Sequence, residues 1–459
     1  MKKRLALTLA AVMLLLLAAC GGNSSAPAAP STEQSAPVSS GTSPAQSEGE
    51  RTDISAVIEE TVLVDESDVK ITATELEYAA YEVKLRLTIE NNSAQDLSFY
   101  SGTLGYCCNS INGYMVDDGY LNVDVAAGKK AAETVRFSMD TLTELGISSI
   151  ADIELGFRVT SGPLDDYLET GPRQVRTSAA EGYDYGADTY RRTIERTLSS
   201  LDLTLESDSG DVAFDERGVR VISQTLAADP DGKRALLVEV ENTSEDPVYT
   251  SVGGVSMNGL RVQSGAWSTD WLSPGKRRVI SMDLSAMADE ACRAAFGLEE
   301  IGEVAYSFEI EDMDYDTLTV PQVLTLTVPG GKASYDGSGE ELCRADGIRI
   351  VSKGLMPDAY EYSDDIHVLL LVENELTEQI TFDVRYSSIS VNGYMTDFIC
   401  YSKAVAPGCG GVLDVRLLGS SLEGNGIRGV EDIEEVELTV EAENSSRRTV
   451  AEPVVVVRG

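Results

Sequence analysis

Ser110-Ile111-Asn112-Gly113-Tyr114-Met115 and Ser390-Val391-Asn392-Gly393-Tyr394-Met395 are two copies of one stretch, and Ser256-Met257-Asn258-Gly259-Leu260 is a third. Each is an apolar strand end, an Asn-Gly pair and an apolar restart. A two-residue type I′ turn needs φ > 0 at both central positions, which makes Asn-Gly the strongest short hairpin signal. Asn tolerates that conformation through its short polar side chain, and Gly has no Cβ to clash. The turn residues Asn112, Gly113, Asn258, Gly259, Asn392 and Gly393 therefore predict three hairpins and a chain built from three copies of one β-domain. The middle copy keeps the turn and loses Tyr and Met, so the shared chemistry is that of a turn.

Other segments recur in step with the hairpin. Upstream, Val83-Lys84-Leu85-Arg86-Leu87-Thr88-Ile89-Glu90-Asn91 reads as a strand alternating apolar and polar, half buried and half wet. Its counterparts are Ala235 to Asn242 and His367 to Asn374, each ending in Glu-Asn. Polar residues follow that Asn, which marks a strand stopping in a turn. From this Asn to the hairpin Asn the spacing is 21, 16 and 18 residues, and from there to the glycine turns at Gly128, Gly275 and Gly408 it is 16, 17 and 16. Spacing this regular identifies a repeat. Each copy opens with a short strand, an acidic or glycine turn and a second strand, as at Val62 to Ile71, Val212 to Val221 and Glu341 to Ile350. After the glycine turn come a strand, a short Leu-rich helical stretch such as Thr141 to Gly146, and two more strands.

Seven or eight short strands in roughly 110 residues suit an antiparallel immunoglobulin-like β-sandwich. The expected class is all-β, with three tandem sandwiches after a disordered lipidated tether. Repeat 1 is placed at 54–178, repeat 2 at 211–328 and repeat 3 at 341–459. A linker at 179–210 has helical character from Asp188 to Leu203. A Gly-rich linker at 329–340 reads as a flexible hinge. The expectation for the assembly is beads on a string.

The amino terminus reads as an address. Met1-Lys2-Lys3-Arg4 is a basic n-region, and Leu5 to Ala19 is an apolar stretch too short to span a bilayer. It ends Leu17-Ala18-Ala19-Cys20-Gly21, which resembles the lipobox of bacterial lipoproteins. That resemblance implies a signal peptide at 1–19, diacylglyceryl attachment at Cys20, and a mature chain held on the extracytoplasmic face of the membrane without crossing it. Residues 20–53 are rich in Gly, Ser, Ala and Pro and cannot bury a core, so they read as a disordered tether. Lipobox, tether and Asn-Gly repeats together resemble the multi-repeat surface lipoproteins of Gram-positive, largely gut-dwelling bacteria. The resemblance covers nearly the whole chain. It implies a surface location and a sandwich fold, and it transfers no activity and no functional residues.

Formal net charge is −40, from 36 basic and 76 acidic residues. Loss of Lys2, Lys3 and Arg4 with the leader makes the mature chain more acidic still. Such a surface repels phosphate backbones and anionic head groups, which argues against nucleic acid as a partner. The partners expected are the membrane, through the lipid on Cys20, and a protein or glycan ligand. No cofactor is expected.

Catalytic signatures are few. The single histidine, His367, begins a strand, and without a second one there is no His-based triad or zinc site. The chain has no Gly-x-Ser-x-Gly elbow, phosphate loop or dinucleotide fingerprint. Six cysteines besides Cys20 sit at unmatched positions in the copies; Cys400 and Cys409 flank the Pro407-Gly408 turn and form the candidate disulfide, with free thiols as the alternative. Adjacent Cys107 and Cys108 point to opposite faces if they lie in a strand. Acidic loops at Glu311 to Asp316 and Asp229 to Gly232 supply carboxylates of the kind calcium uses, but neither matches an EF-hand loop, and solvated loops are the expectation. Trp267 and Trp271 lie before the Ser273-Pro274-Gly275 turn, where aromatic residues either pack the sandwich or stack on sugars. The function expected is a non-catalytic surface module that binds or spaces a partner. The alternatives are a glycan-active enzyme or accessory working through paired carboxylates, and a ligand-capturing transporter component, which usually has the βα alternation missing here.

Overall fold

The computed structural model describes residues 56–102, 108–162, 165–261, 268–284, 290–360 and 362–459. The leader 1–19, the tether 20–53 with Cys20, Cys107, Trp267 and the side chain of Cys292 lie outside the described residues. What is described is all-β, with antiparallel sheets stacked as tandem immunoglobulin-like sandwiches.

Copy one shows the local logic. Strands Thr61–Glu66, Val69–Tyr78, Glu82–Asn91 and Lys129–Ser138 form its first sheet, in that order. Val83, Leu85, Leu87 and Ile89 point inward and are almost wholly buried, while Lys84 and Arg86 between them pair with Glu82 and Glu77 at the surface. Facing it, Leu97–Ser101 lies between Leu121–Val125 and Arg158–Gly162. Copies two and three repeat this plan.

The strand-ending asparagines hold the corners. Asn242 Nδ2 donates to Asp246 O (2.9 Å) and Leu272 O (3.0 Å), and its Oδ1 accepts from Ser244 N (2.9 Å) and Oγ (2.7 Å). Asn91 makes the same four bonds, and Asn374 makes three of them, with Leu376 in place of Ser. All three are buried. The amide therefore satisfies main-chain groups that the strand-to-loop transition would otherwise leave buried and unpaired.

The copies are not beads on a string. The second half of copy one (Arg173–Arg176, Asp152–Leu155, Ser110–Ile111, Tyr114–Met115) runs edge to edge into the first sheet of copy two (Arg277–Asp283, Arg234–Asn242, Val219–Ala228, Thr204–Ser209), giving one nine-stranded sheet that also takes in Phe214–Glu216. In the same way the second sheet of copy two continues through Leu260–Arg261 into Gly410–Leu417 of copy three, within a ten-stranded sheet. Thr52–Gly459 clusters as one compact unit.

The cores interlock as well. Val351, Leu369, Leu371 and Val412 of copy three, with Cys108 and Met115 of copy one, belong to the hydrophobic cluster centred on copy two. The physical reason is legible in Ile366–Asn374. Val368, Leu370 and Val372 face copy three's own core, while Leu369 and Leu371 face copy two. A strand covered on both faces reads as a continuous apolar run.

Both linkers take part. The helix Thr189–Ser200 is capped by Asp188 and buries Tyr190, Ile194 and Leu198. In the Gly-rich linker, Asp336 N donates to Phe296 O (2.8 Å), Lys353 Nζ donates to Asp336 O (2.7 Å), and the Tyr335 hydroxyl donates to Glu373 (2.7 Å). These contacts replace the expected hinge with a packed segment.

If the cores are shared, damage crosses the boundary. Leu371→Asp in copy three should raise the rate of proteolytic cleavage within copy two as well as copy three, because a charge on that face enters copy two's cluster. Cleavage of copy three alone would contradict the interlock.

Candidate functional site

The structure brings two of the three Asn-Gly pairs, Asn112-Gly113 and Asn258-Gly259, to joints between copies. Both turn positions have positive φ in all three: 51° and 87° at Asn112-Gly113, 54° and 80° at Asn258-Gly259, 51° and 80° at Asn392-Gly393. The asparagine side chain does a second task. Asn112 Nδ2 donates to Ser149 O (2.7 Å), and Oδ1 accepts from Ala151 N (2.7 Å) and Asp152 N (3.2 Å). Asn258 does the same with Glu300, Gly302 and Glu303, and Asn392 with Asp432, Glu434 and Glu435. Each hairpin is thereby pinned to the loop entering the next strand.

Pinned in this way, the hairpin of one copy pairs in parallel with the strand after the next copy's glycine turn. Tyr114 lies opposite Arg277, with Arg277 N donating to Gly113 O (2.9 Å). Leu260 lies opposite Gly410, with Gly410 N donating to Gly259 O (3.3 Å). At the second joint Gly410 is required, since a Cβ there would sit 2.8 Å from the Tyr335 ring.

The first joint is strongly polar. Lys276 Nζ meets Glu154 Oε1 at 2.7 Å, both largely buried, and Arg277 meets Glu241 Oε1 at 3.0 Å. A cleft of ≈ 230 Å³ opens beside them. Its Lys276, Arg277, Glu154 and Glu241 are thus already engaged with one another, while Asp152 in the same lining accepts from Gln174 Nε2 (2.8 Å). Beneath lies Glu239, fully buried, accepting from Ser223 Oγ (2.9 Å) with the Tyr114 hydroxyl at 3.5 Å. Burial pushes the Glu239 carboxyl up to about 7, reinforced by Asp188 and Glu241 and opposed by Ser223 and Arg277.

The remaining sequence candidates are dispersed. Cys400 and Cys409 are both free thiols, the second of the two readings the sequence left open. Cys400 pairs opposite Val415, six residues along the strand from Cys409, which is about 20 Å at about 3.3 Å per residue. Burial pushes the Cys400 thiol up to about 12, the reverse of what a reactive thiolate needs. Nearby Lys403 is buried, and loss of hydration together with Arg261 lowers its ammonium to about 8. His367 Nδ1 lies 2.8 Å from Asp414 Oδ1, and that hydrogen bond raises the imidazole above its ordinary range.

In the acidic loop, Asp312 Oδ1 accepts from Asp314 N and Asp316 N (2.9 Å each), so this carboxylate caps a turn. Asp229 Oδ1 likewise accepts from Lys233 N (2.8 Å). Among the described residues no group of three or more His, Cys, Asp or Glu is placed to hold a metal ion. Trp271 packs on the core, donates from Nε1 to Ser273 Oγ (2.8 Å) and meets Tyr249 edge-on, while Tyr249 stacks on Tyr315 with ring centres 4.7 Å apart.

Exposed aromatic residues concentrate at copy three. Of nine exposed tyrosines among the described residues, five (Tyr360, Tyr362, Tyr386, Tyr394 and Tyr401) lie there. Sequence reasoning missed this grouping. Its signal was the Tyr-x-Tyr at Tyr360 and Tyr362, in a loop between the second and third strands that is longer than its counterparts at 79–81 and 229–233. The loop carrying that pair and the third hairpin are fastened to one segment: Gly419 N donates to Asp365 Oδ1 (2.8 Å), Leu418 N to Asp397 O (3.0 Å), and Asn425 Nδ2 to Met395 O (3.3 Å).

No protein-family model and no curated protein matches this chain. Among solved structures, the chain is similar to part of a 1.5-MDa bacterial ice-binding adhesin, at 12% identity over 82% of this chain and 90% of that one, with a TM-score of 0.14. It is also similar to red sea bream transglutaminase, at 11% identity over 57% of this chain and 32% of that one, TM-score 0.16. A Porphyromonas gingivalis protein of unknown function shows 9% identity over 50% and 90%, TM-score 0.14. At these TM-scores the likenesses carry no argument for this chain.

Glu239 makes the first joint sensitive to pH. Its ordinary value near 4.5 applies in the unfolded chain, so between about 4.5 and about 7 the folded state binds the extra proton. Stability from this group is then present at low pH and falls as pH rises through that window. Each tenfold change in proton affinity is worth about 1.4 kcal/mol, so the ionised carboxylate costs on the order of 3 kcal/mol. Glu239→Gln should raise the melting temperature at pH 8 and raise it little at pH 5. A gain independent of pH would place the cost elsewhere.

Proposed function

We propose that this chain is a membrane-anchored surface lipoprotein, held through Cys20, that binds or spaces a protein or glycan partner without catalysing a reaction. The observation that carries the proposal is how the shared residues are used. The strand-ending asparagines, the hairpin Asn-Gly pairs and the glycine turns recur in all three copies, and each closes main-chain hydrogen bonds or joints. What is shared is scaffold, so the partner-specific surface is where the copies differ. Tyr360 and Tyr362, exposed on the loop that copy three lengthens, are one such difference. Tyrosine offers a broad apolar face and a polar tip, suited to stacking on a sugar ring or anchoring a peptide. Among the described residues no helix is long and apolar enough to cross a membrane. The anchor is assigned to the lipid on the strength of the lipobox-like Leu17-Ala18-Ala19-Cys20-Gly21.

Two experiments test this. Cells fed a fatty-acid probe should label the wild-type chain, and Cys20→Ala should abolish the label and release the protein from the membrane. Retention of the Cys20→Ala chain would place the anchor elsewhere. On a glycan and protein-ligand array, the mature chain should bind a component, and the double substitution Tyr360→Ala with Tyr362→Ala should weaken that binding at least about tenfold at unchanged melting temperature. An array with nothing bound, or binding indifferent to both tyrosines, would remove the proposal.

A further inference from the structure

The third hairpin has the docking geometry of the other two, with no strand of a following copy paired to it among the described residues. Tyr114 and Met115 are 2% and 5% exposed beneath copy two, whereas Tyr394 and Met395 are each 59% exposed. Copy one carries the matching half-joint. Its strand Lys129–Ser138 begins at the glycine turn Gly128, pairs with Glu82–Asn91 on one side, and ends the sheet on the other. In copies two and three that same edge receives the preceding hairpin.

We propose that these two ends are complementary, and that the Tyr394 hairpin of one molecule docks in parallel on the Lys129 edge of a second copy of this chain. The register follows from the first joint. Arg277 lies opposite Tyr114, so Lys130, also two residues after its glycine, lies opposite Tyr394.

Charge supports the match. At the first joint Lys276, following Gly275, bonds Glu154, which is the cross-strand partner of Ser110. At the second joint both positions change together: Cys409 follows Gly408, and Ala305 is the partner of Ser256. At the third hairpin and copy one's glycine edge, both unpaired among the described residues, the ionic combination returns. Lys129 follows Gly128, and Glu437 is the partner of Ser390; both are exposed. A joint between two molecules would bring Lys129 to Glu437 as Lys276 meets Glu154.

The outer face of copy one fits the same reading. In copy two, Leu237 and Val279 share a cavity with Ile194 and Leu198 of the linker helix. A joint between separate chains has no such linker to cover those positions. Their counterparts in copy one, counted from Asn91 and Gly128, are Arg86 and Ala132, both exposed. Directly beneath the hairpin the chemistry is retained, with Lys130 paired to Glu90 at 2.9 Å as Arg277 is paired to Glu241. Two different patches meeting head to tail leave one of each free on every dimer, so molecules add on as an open chain or as a ring where the rotation per joint closes.

The test uses the full secreted chain carrying Cys20→Ala, so that no acyl group contributes, with sedimentation velocity over a concentration series. Salt near 0.15 M limits the repulsion between acidic surfaces to about 8 Å. The chain should grow in mean mass with concentration. Lys129→Glu alone and Glu437→Lys alone should each weaken association at least about tenfold, since each sets like charges against one another in the joint. The double variant, and an equimolar mixture of the two single variants, should restore it. A wild-type chain that stays monomeric at its solubility limit overturns the proposal. So does association that both single substitutions leave unchanged, or a double variant no better than the singles.

Discussion

Main-chain groups on the strand after each glycine turn need partners on both sides, and in two of the three copies one side is supplied by the preceding copy. That demand shapes everything around it. The hairpin must project from its own sandwich, so its turn takes two left-handed residues. It must hold a fixed height against the next sheet, so the asparagine side chain ties it to the loop behind. Once the edges are zipped, the outer face of the receiving sheet is brought against the neighbour. Burying Leu369 and Leu371 there contributes about 1.5–3 kcal/mol each. Hydrogen bonds set the alignment of the copies, and apolar burial supplies most of their cohesion.

The two joints reach this end with different chemistry. The first contains buried ionic groups and one carboxyl lifted well above its usual range by loss of hydration. Such groups contribute little net stability, because desolvation offsets much of their attraction. The second joint replaces the Lys-Glu pair with Cys409 and Ala305 and draws on Phe296, Leu298 and Tyr335 instead. It still holds a buried cation in Lys403, whose ammonium is lowered by loss of hydration and by Arg261.

How much of this was legible follows from which signals are local. Alternation in Val83 to Asn91, the repeat spacing and the Asn-Gly pairs are short-range, and from them the sandwich class could be read. The joints were legible too, but the signal passed as ordinary strand. His367 to Asn374 runs Val-Leu-Leu-Leu-Val, with no polar residue between, and copy two places Leu237 where copy one has Arg86. Those departures from alternation mark a second buried face. The Asn side-chain bonds to Ser149, Ala151 and Asp152 span about forty residues, and no local pattern announces them. Cys400 and Cys409 are near in sequence and far apart in space, because the turn between them joins Lys403–Val405 to Gly410–Leu417, which belong to different sheets, and no local pattern announces that.

The paired residues at each joint also govern which copy can follow which. Copies of similar fold in one chain can dock out of order while folding, and tandem domains are prone to such misassembly. Were copy one to seize copy three, Glu154 would be buried against Cys409 with no cation to meet it. Were copy two to seize its own glycine edge in another molecule, Lys276 would be buried against Ala305. Each wrong match strands a charge away from water, at a penalty of several kcal/mol. Lys276 with Glu154, and Cys409 with Ala305, thus work as two differently cut keys, which keep copy one's hairpin off copy three's edge and copy two's hairpin off its own edge in another molecule.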